Sequence, residues 1–384
     1  MRVLLLGASG VCGSVALRHL CLSKGVDEVI AADIRPLRAK RLIRKLDLGK
    51  ARAVKLDVRD KAALAKAMGE ADVVANATPY IHNLTVMEAA LKARRSLADL
   101  GGMFYITREQ LKMSDEFAKA RLTALIGCGL APGIADVLAK KGSELLDSVD
   151  SVRIYYGEVN FTPALYKWSF RAILDELTLR PVVYRDGKFV EAPPLSGKER
   201  FEFPQPVGPR LCVYSVYSGI ATLPKTIGKG VKLVEAKYGF TDTEKLEVVI
   251  EALKVLGLLS EEPVKVGEVE IKPKELLLAC APPAEPEVED AVSVVVIVRG
   301  RKGEDYVEVR YSLVQEFHKM WRVSALAYLT GITLSIATQM LGLGEVEVSG
   351  VFSLEGAVEP DKLLRALKPE GVRVEEEVLV RREL

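Results

Sequence analysis

The sequence is poor in the residues that build metal centres and disulfide frameworks. Three histidines and five cysteines are spread over 384 residues. The cysteines (Cys12, Cys21, Cys128, Cys212 and Cys280) form no CxxC pair. A zinc site or a disulfide scaffold is therefore not expected, and a reduced, cytoplasmic protein is. Charge of one sign is also lacking. With 54 Lys and Arg against 52 Asp and Glu, the net charge is +2, too small a bias for a nucleic-acid partner. Long apolar runs are missing: Ala291–Val298, AVSVVVIV, is short and broken by a serine, whereas a membrane span needs about 20 residues. Strand-like residues begin at Arg2, so no leader peptide is expected. Asn and Gln together number only seven beside abundant Glu, Lys and Arg, a bias seen in heat-adapted proteins.

What is present is an alternation. Strand-like runs at 2–7, 28–33, 52–57, 72–78, 95–101 and 122–129 are separated by segments with apolar residues at spacings of three and four. Continuous apolar strands between helices indicate a parallel sheet covered on both faces, a doubly wound Rossmann-type α/β fold. Asn83 is suited to cap one helix and Pro132 to start another. Beyond residue 145 the character changes. A long strand is expected at 149–159, a hairpin about Asp186-Gly187, a Pro- and Gly-rich loop or strand edge at 193–210, and a helix at 242–257 ending on Gly257. A second hairpin is expected at 293–314, a long apolar helix at 321–342 and a solvated, charged C-terminal end. These elements describe a second α/β domain on an open mixed sheet.

The stretch GASGVCG (Gly7–Gly13) follows the first strand and opens a helical pattern. Such a loop lets Gly7 turn tightly, Gly10 admit a pyrophosphate and Gly13 pack the helix on the sheet, with helix N–H groups binding the anion. The GxxGxxG spacing also suits a tight strand–helix turn. Asp33 ends the second strand, 20 residues after Gly13, where a carboxylate accepts hydrogen bonds from adenosine ribose hydroxyls and repels a 2′-phosphate. NAD is therefore expected, while Arg35, able to meet a 2′-phosphate, leaves NADP open. NATPYIHN (Asn76–Asn83), DLGG (Asp99–Gly102) and GCGLAPG (Gly127–Gly133) end later strands, at the edge where open α/β sheets bind ligands. Tyr80 and His82 can move protons, and Asp99 can act as an acid, a base or an amine anchor. Cys128 reads as a small buried residue, and His19 and His318 as structural. Tyr184 and Lys188 form a YxxxK spacing, but the pair straddles a hairpin turn and is set aside.

Together these stretches resemble the saccharopine dehydrogenase family, in particular its branch containing lysine 6-dehydrogenase. ATPYIHN, SLADLGG, GCGLAPGIADVLA, WSF with DEL (Trp168–Phe170, Asp175–Leu177), YRDGKFVEAPPLSG, SGIATLP, LGLLSEEPV, KPKELLLA and TGITLSIATQML occur in order. The resemblance implies a nucleotide domain at 1–130, completed by roughly 322–384, and a substrate and dimerisation domain at 131–321. It implies an NAD-dependent amine oxidoreductase, with a small amine or amino acid as substrate and a homodimeric assembly. The cofactor set is Gly7, Ser9, Gly10, Val11, Gly13, Asp33, Arg35, Asp57, Val58, Ala77, Thr78, Pro79 and Gly101. Tyr80, His82 and Asp99 are the expected catalytic group. Cys128, Trp168, Arg171, Asp175, Arg180 and Thr222 are expected towards the substrate, with Arg171, Arg180 and Lys225 as carboxylate partners. No metal is expected. Arg171 and Ala172 depart from the family's usual residues in the region expected to shape the pocket. Three functions follow: deamination of a primary amine as in lysine 6-dehydrogenase, formation or cleavage of a secondary amine as in saccharopine or carboxynorspermidine enzymes, and a non-catalytic NAD-binding protein.

Overall fold

The computed structural model describes residues 1–162, 166–282, 284 and 287–382. Its first part runs β1 (Arg2–Leu6), α1 (Val11–Leu22), β2 (Glu28–Asp33), α2 (Leu37–Lys45), β3 (Ala51–Lys55), α3 (Lys61–Gly69) and β4 (Val73–Asn76). It continues with α4 (Asn83–Ala93), β5 (Ser96–Asp99), α5 (Phe104–Lys112), α6 (Ser114–Ala120) and β6 (Thr123–Ile126). Helix α7 (Ile134–Glu144) leads into β7 (Ser148–Asn160), α8 (Phe170–Thr178), the hairpin β8 (Val182–Arg185) and β9 (Lys188–Glu191), then β10 (Glu199–Glu202) and β11 (Pro209–Tyr214). There follow α9 (Leu223–Ile227), β12 (Leu233–Gly239), α10 (Thr243–Val255), a small hairpin of β13 (Val264–Val266) and β14 (Val269–Ile271), and α11 (Pro273–Cys280). The chain closes with the long hairpin β15 (Asp290–Lys302) and β16 (Asp305–Glu316), then α12 (Ala325–Gly342), β17 (Gly350–Ser353), α13 (Leu354–Ala357), α14 (Pro360–Leu367) and β18 (Val374–Arg381).

The first sheet is parallel, in the order β17-β6-β5-β4-β1-β2-β3. Strand alternation divides its side chains between two faces. Val3 and Leu5 pack in one core with Val15 of α1 and Leu329 and Ile332 of α12. Leu4 and Leu6 pack in the other with Leu64 and Met68 of α3 and Val86 of α4. The switch between β1 and β4 opens the crevice in which such sheets hold ligands. The second sheet is mixed, in the order β10-β11-β12-β7-β15-β16-β18, with β12 and β7 parallel and the hairpin β8–β9 attached to β12. The doubly wound sheet and the second domain on a mixed sheet are thus both present.

Several local expectations change. Asn83 does not cap α4: its side chain is buried between strand ends. The helical segment between the fifth and sixth strands is broken at Met113 into α5 and α6. Pro132 precedes α7 rather than lying in its first turn, and the N-cap is Gly133. The loop or strand edge expected at 193–210 is in agreement: it contains β10, the edge strand of the second sheet. The C-terminal end is not merely solvated, because β18 pairs antiparallel with β16 along eight registered positions, Tyr306↔Arg381 to Leu313↔Val374; residues 383 and 384 lie outside the described part. The C-terminal segment therefore serves both sheets: β17 extends the nucleotide sheet and β18 the second one. Helix α12 is long and apolar enough to cross a membrane by composition, yet it is mostly buried and packs against α1, β4 and β5. Its N-cap Ser324 accepts a hydrogen bond from Ala327 N.

Candidate functional site

The glycine loop is built by backbone contact. Gly7 has φ +77°, and a Cβ there would meet Ala77 O at 2.6 Å. A Cβ on Gly13 would fall 2.1 Å from Gly7 O. These two glycines are thus demanded by the chain's packing on itself. Gly10 is different: it is exposed, and its Cβ would come no nearer than 3.1 Å to Gly7 O. It is the N-cap of α1 without a side-chain cap, and the first turn carries no acidic residue. The N–H groups and positive end of α1 are left for an anion. Val11 and Cys12 complete that turn, and burial pushes the Cys12 thiol up to about 12, which makes it unreactive.

Asp33 closes the loop from the neighbouring strand. Its Oδ2 accepts from Ser9 N at 2.9 Å and its Oδ1 from Arg35 N at 2.8 Å. The Ser9 hydroxyl donates to Arg35 O at 3.0 Å and accepts from Ala39 N at 3.3 Å. Ser9 therefore shapes the loop with its side chain rather than offering it to a ligand. Arg35 and Arg38 are exposed beside this turn. Asp57, after β3, is held by Arg59 at 2.7 Å, which pulls its carboxyl down to about 2; Val58 lies half-buried next to it.

The edge of the crevice is tied together by amides. Asn76 Oδ1 accepts from Thr78 N at 3.1 Å and from the Thr78 hydroxyl at 2.6 Å. Asn76 Nδ2 donates to Asn83 Oδ1 at 3.0 Å, and Asn83 Nδ2 donates to Gly101 O at 3.1 Å. This fixes Ala77, Thr78 and Pro79 against Gly101. Asp99 is wholly buried at 0% exposure. Its Oδ1 accepts from Gly101 N at 2.7 Å and Gly127 N at 3.1 Å, and its Oδ2 from Gln110 Nε2 at 2.6 Å. Burial pushes this carboxyl up to about 6 against those three donors. Asp99 is thus a positioning residue that shapes two loops, and not a group that meets the substrate as expected.

Tyr80 and His82 lie in the short turn Tyr80–His82 after β4. Burial, then Arg59, holds His82 below its ordinary value, so its imidazole is neutral at pH 7 and can take up a proton. The Tyr80 hydroxyl donates to Asp175 Oδ2 at 2.6 Å, and burial and that carboxylate push its pKa far upward. Tyr80 is therefore a fixed donor, not a base. Asp175 is 3% exposed, and its Oδ1 meets Lys274 Nζ at 2.9 Å. Lys274 also meets Glu261 at 3.0 Å, and Arg171 meets Glu275 at 2.6 Å. Burial pulls Lys274 down, but its bonds to Asp175 and Glu261 outweigh that and keep it charged. Trp168, half-buried, precedes α8, whose N-cap Ser169 accepts from Ala172 N at 3.3 Å.

Lys274, Glu261 and Glu176 were not singled out in the sequence. Lys274 follows Pro273 at the start of α11, where the helix dipole disfavours a cation; that misplacement was the available signal for a buried acidic partner. Other expected residues do not join the group. Cys128 is fully buried, and burial pushes its thiol well up. Arg180 is bound to Glu191 on the hairpin, with 58% of its side chain exposed. Lys225 is exposed. Thr222 is buried beside Asp136, in a separate cavity. His19 and His318 are structural as read: His19 Nδ1 lies 2.7 Å from Ser335 Oγ, and His318 stacks on Tyr328.

Glu176 accepts from Val216 N at 3.0 Å, and burial raises its carboxyl from 4.5 to about 7. A raised acid is protonated in the folded chain after the unfolded chain has lost its proton, so stability from this group is full below pH 4.5 and falls towards pH 7. Glu176→Gln should flatten that fall by on the order of 3 kcal/mol, read from urea unfolding at several pH values. An unchanged slope would show that Glu176 is not the titrating group.

A glycine loop on a parallel sheet, a carboxylate at the end of β2 and a second domain presenting acids and cations at the crevice define a nicotinamide-dinucleotide oxidoreductase. The saccharopine dehydrogenase NADP-binding domain matches residues 3–125 and the saccharopine dehydrogenase C-terminal domain residues 129–372. The chain belongs to the saccharopine dehydrogenase family, an NAD(P)-dependent enzyme family acting on amine substrates. It is 25% identical to carboxyaminopropylagmatine dehydrogenase of Synechocystis, over 97% of this chain and 96% of that one. It is 30% identical to saccharopine dehydrogenase [NADP(+), L-glutamate-forming] of Schizosaccharomyces pombe, over 57% of this chain but 47% of that longer one. The solved structure of saccharopine dehydrogenase (L-Glu forming) from Saccharomyces cerevisiae has the same fold, with a TM-score of 0.75, 20% identity and coverage of 98% and 99%.

Proposed function

We propose that the protein interconverts a carboxylate-bearing secondary amine with a carbonyl compound and a primary amine. The observation that carries this reading is the pair of cations around Tyr80 and Asp175. Lys274 and Arg171 are each neutralised on the outer side by a glutamate, Glu261 and Glu275, that is half exposed. A substrate carboxylate can displace such mobile acids and take up charge-assisted bonds. The names of two full-length or near full-length relatives, carboxyaminopropylagmatine dehydrogenase and carboxynorspermidine synthase, denote amines of this kind.

A bound nicotinamide supplies or accepts the hydride. The chain's groups handle protons and position. In oxidation the substrate nitrogen must be unprotonated, so that its lone pair forms the C=N bond as hydride leaves the adjacent carbon. His82 is neutral at pH 7 and is the acceptor for the nitrogen's proton. Tyr80, its proton committed to Asp175, offers its oxygen as an acceptor to the substrate N–H and sets the nitrogen's direction. Water then adds to the C=N carbon, and the C–N bond breaks to release carbonyl compound and primary amine. In the reductive direction the same groups act in reverse order. Deamination in the manner of lysine 6-dehydrogenase is the second reading, favoured by NATPYIHN and GCGLAPGIADVLA; it releases ammonia instead. Asp33 favours NAD, while exposed Arg35 and Arg38 suit NADP. The expected homodimer has support in the edge strand β18, where Val378, Leu379 and Val380 are about half exposed.

Arg171→Ala should raise KM for a carboxylated amine by ~10- to 100-fold, about 1.5–3 kcal/mol for a charge-assisted bond, with kcat changed far less. The decarboxylated analogue should show little change. Equal effects on both substrates would remove Arg171 as the carboxylate partner.

A further inference from the structure

A second polar cluster lies behind the crevice, apart from the groups above. A cavity of about 10 Å³ is lined by Thr107, Gly127, Asp136, Ser218, Thr222 and Ser353, among others. That is room for one water-sized atom. Asp136 is 2% exposed; its Oδ1 accepts from the Tyr217 hydroxyl at 2.8 Å and its Oδ2 from Gly133 N at 3.0 Å. A second buried carboxylate, Glu355, is within charge range of Asp136. Its Oε1 accepts from the Ser353 hydroxyl at 2.7 Å and the Thr226 hydroxyl at 3.3 Å. Among the described residues neither acid forms an ion pair with Lys, Arg or His. Two buried carboxylates without a cation are expensive in a low-dielectric site. The hydroxyls of Thr107 and Ser218, residues 3% and 4% exposed, line the same cavity and have no hydrogen-bond partner among the described residues.

We propose that this cavity is a monovalent-cation site, in which sodium or potassium is bound by the Asp136 carboxylate and the Thr107 and Ser218 hydroxyls, while Glu355 keeps its proton so that the single charge of the ion balances the pair. The ligands are all oxygen, the set that selects hard cations. Magnesium keeps several of its waters, and a one-atom cavity has no room for them. The site joins three parts of the chain: Thr107 follows β5, Ser218 belongs to the second domain and Glu355 follows β17. Its wall residue Gly127 donates its N–H to Asp99, so an ion here braces the two loops that Asp99 positions.

The test uses the full chain and needs no turnover, so its result is separable from that of the proposed reaction. Tm is measured in NaCl, KCl and choline chloride at equal ionic strength, and crystals soaked in thallium(I) are examined for anomalous scattering. The expected result is a saturable rise of Tm with sodium or potassium but not choline, and a thallium peak between Asp136, Thr107 and Ser218. Ser218→Ala, which removes no hydrogen bond present here, should raise the half-saturating concentration several-fold. Identical Tm in the three salts, or no thallium in the cavity, would overturn the proposal and assign the space to a water or the charge to a shared proton. An unaltered half-saturation in Ser218→Ala would also overturn it.

Discussion

Asp175→Ala is expected to lower kcat/KM by ~10²- to 10⁴-fold and unfolding free energy by about 3 kcal/mol, the low end of the usual consequence of breaking a buried ion pair, because Glu261 still meets Lys274. Both effects have one origin. Asp175 is the meeting point of the Tyr80 hydroxyl and the Lys274 ammonium, and its removal leaves the largely buried Lys274 with only the half-exposed Glu261 while freeing Tyr80. Tyr80→Phe separates the two. It removes only the donor and should cost ~10- to 100-fold in kcat with Tm nearly unchanged, because Lys274 keeps its carboxylate. Steady-state kinetics and calorimetry on the two variants decide the matter. If Asp175→Ala lost stability but kept kcat/KM within about tenfold, the Tyr80–Asp175–Lys274 group would be structural only.

Gly13→Ala should be the most damaging single methyl group in the nucleotide domain. Its Cβ would sit 2.1 Å from a backbone oxygen, and no rotamer change relieves a backbone clash, so a loss of about 3 kcal/mol or more is expected. The dinucleotide Kd should rise at least ~100-fold as α1 is pushed off the loop. Gly10→Ala tests the other glycine role. With 3.1 Å to Gly7 O and an ordinary φ of −69°, it should leave Tm within a few degrees yet weaken dinucleotide binding, because the methyl group stands where the phosphates approach. If Gly10→Ala bound dinucleotide like the parent, the stretch would be a packing turn and no more.

The contrast between these glycines shows what the sequence could convey. Spacing alone allowed a phosphate loop and a tight turn; in the structure Gly7 and Gly13 make the turn by backbone packing, while Gly10 is left open at the uncapped start of α1. The strands of the first sheet were legible because their runs are continuous and apolar, which only a sheet covered on both faces produces. The final strand β18, VEEEVLVR, was not. Most of it is exposed, so its charges read as a solvated end while its backbone pairs with β16. The site was partly legible in the same way. Tyr80, His82, Arg171 and Asp175 fall together because they lie at a strand end and on the helix facing it. Lys274 and Glu176 were hidden because their roles depend on long-range burial that no local pattern carries. Asp99 was recognised but its role was misread: a carboxylate at a strand end can face a ligand or satisfy backbone N–H groups, and only geometry distinguishes the two.

The decisive experiment incubates the purified chain with NAD⁺ or NADP⁺ and a panel of carboxylated secondary amines, and follows both nicotinamide reduction and the products. The expected result is reduction with at least one such amine, equimolar carbonyl compound and primary amine, and no ammonia. Tight dinucleotide binding without reduction by any member of the panel, or release of ammonia from primary amines alone, would contradict it.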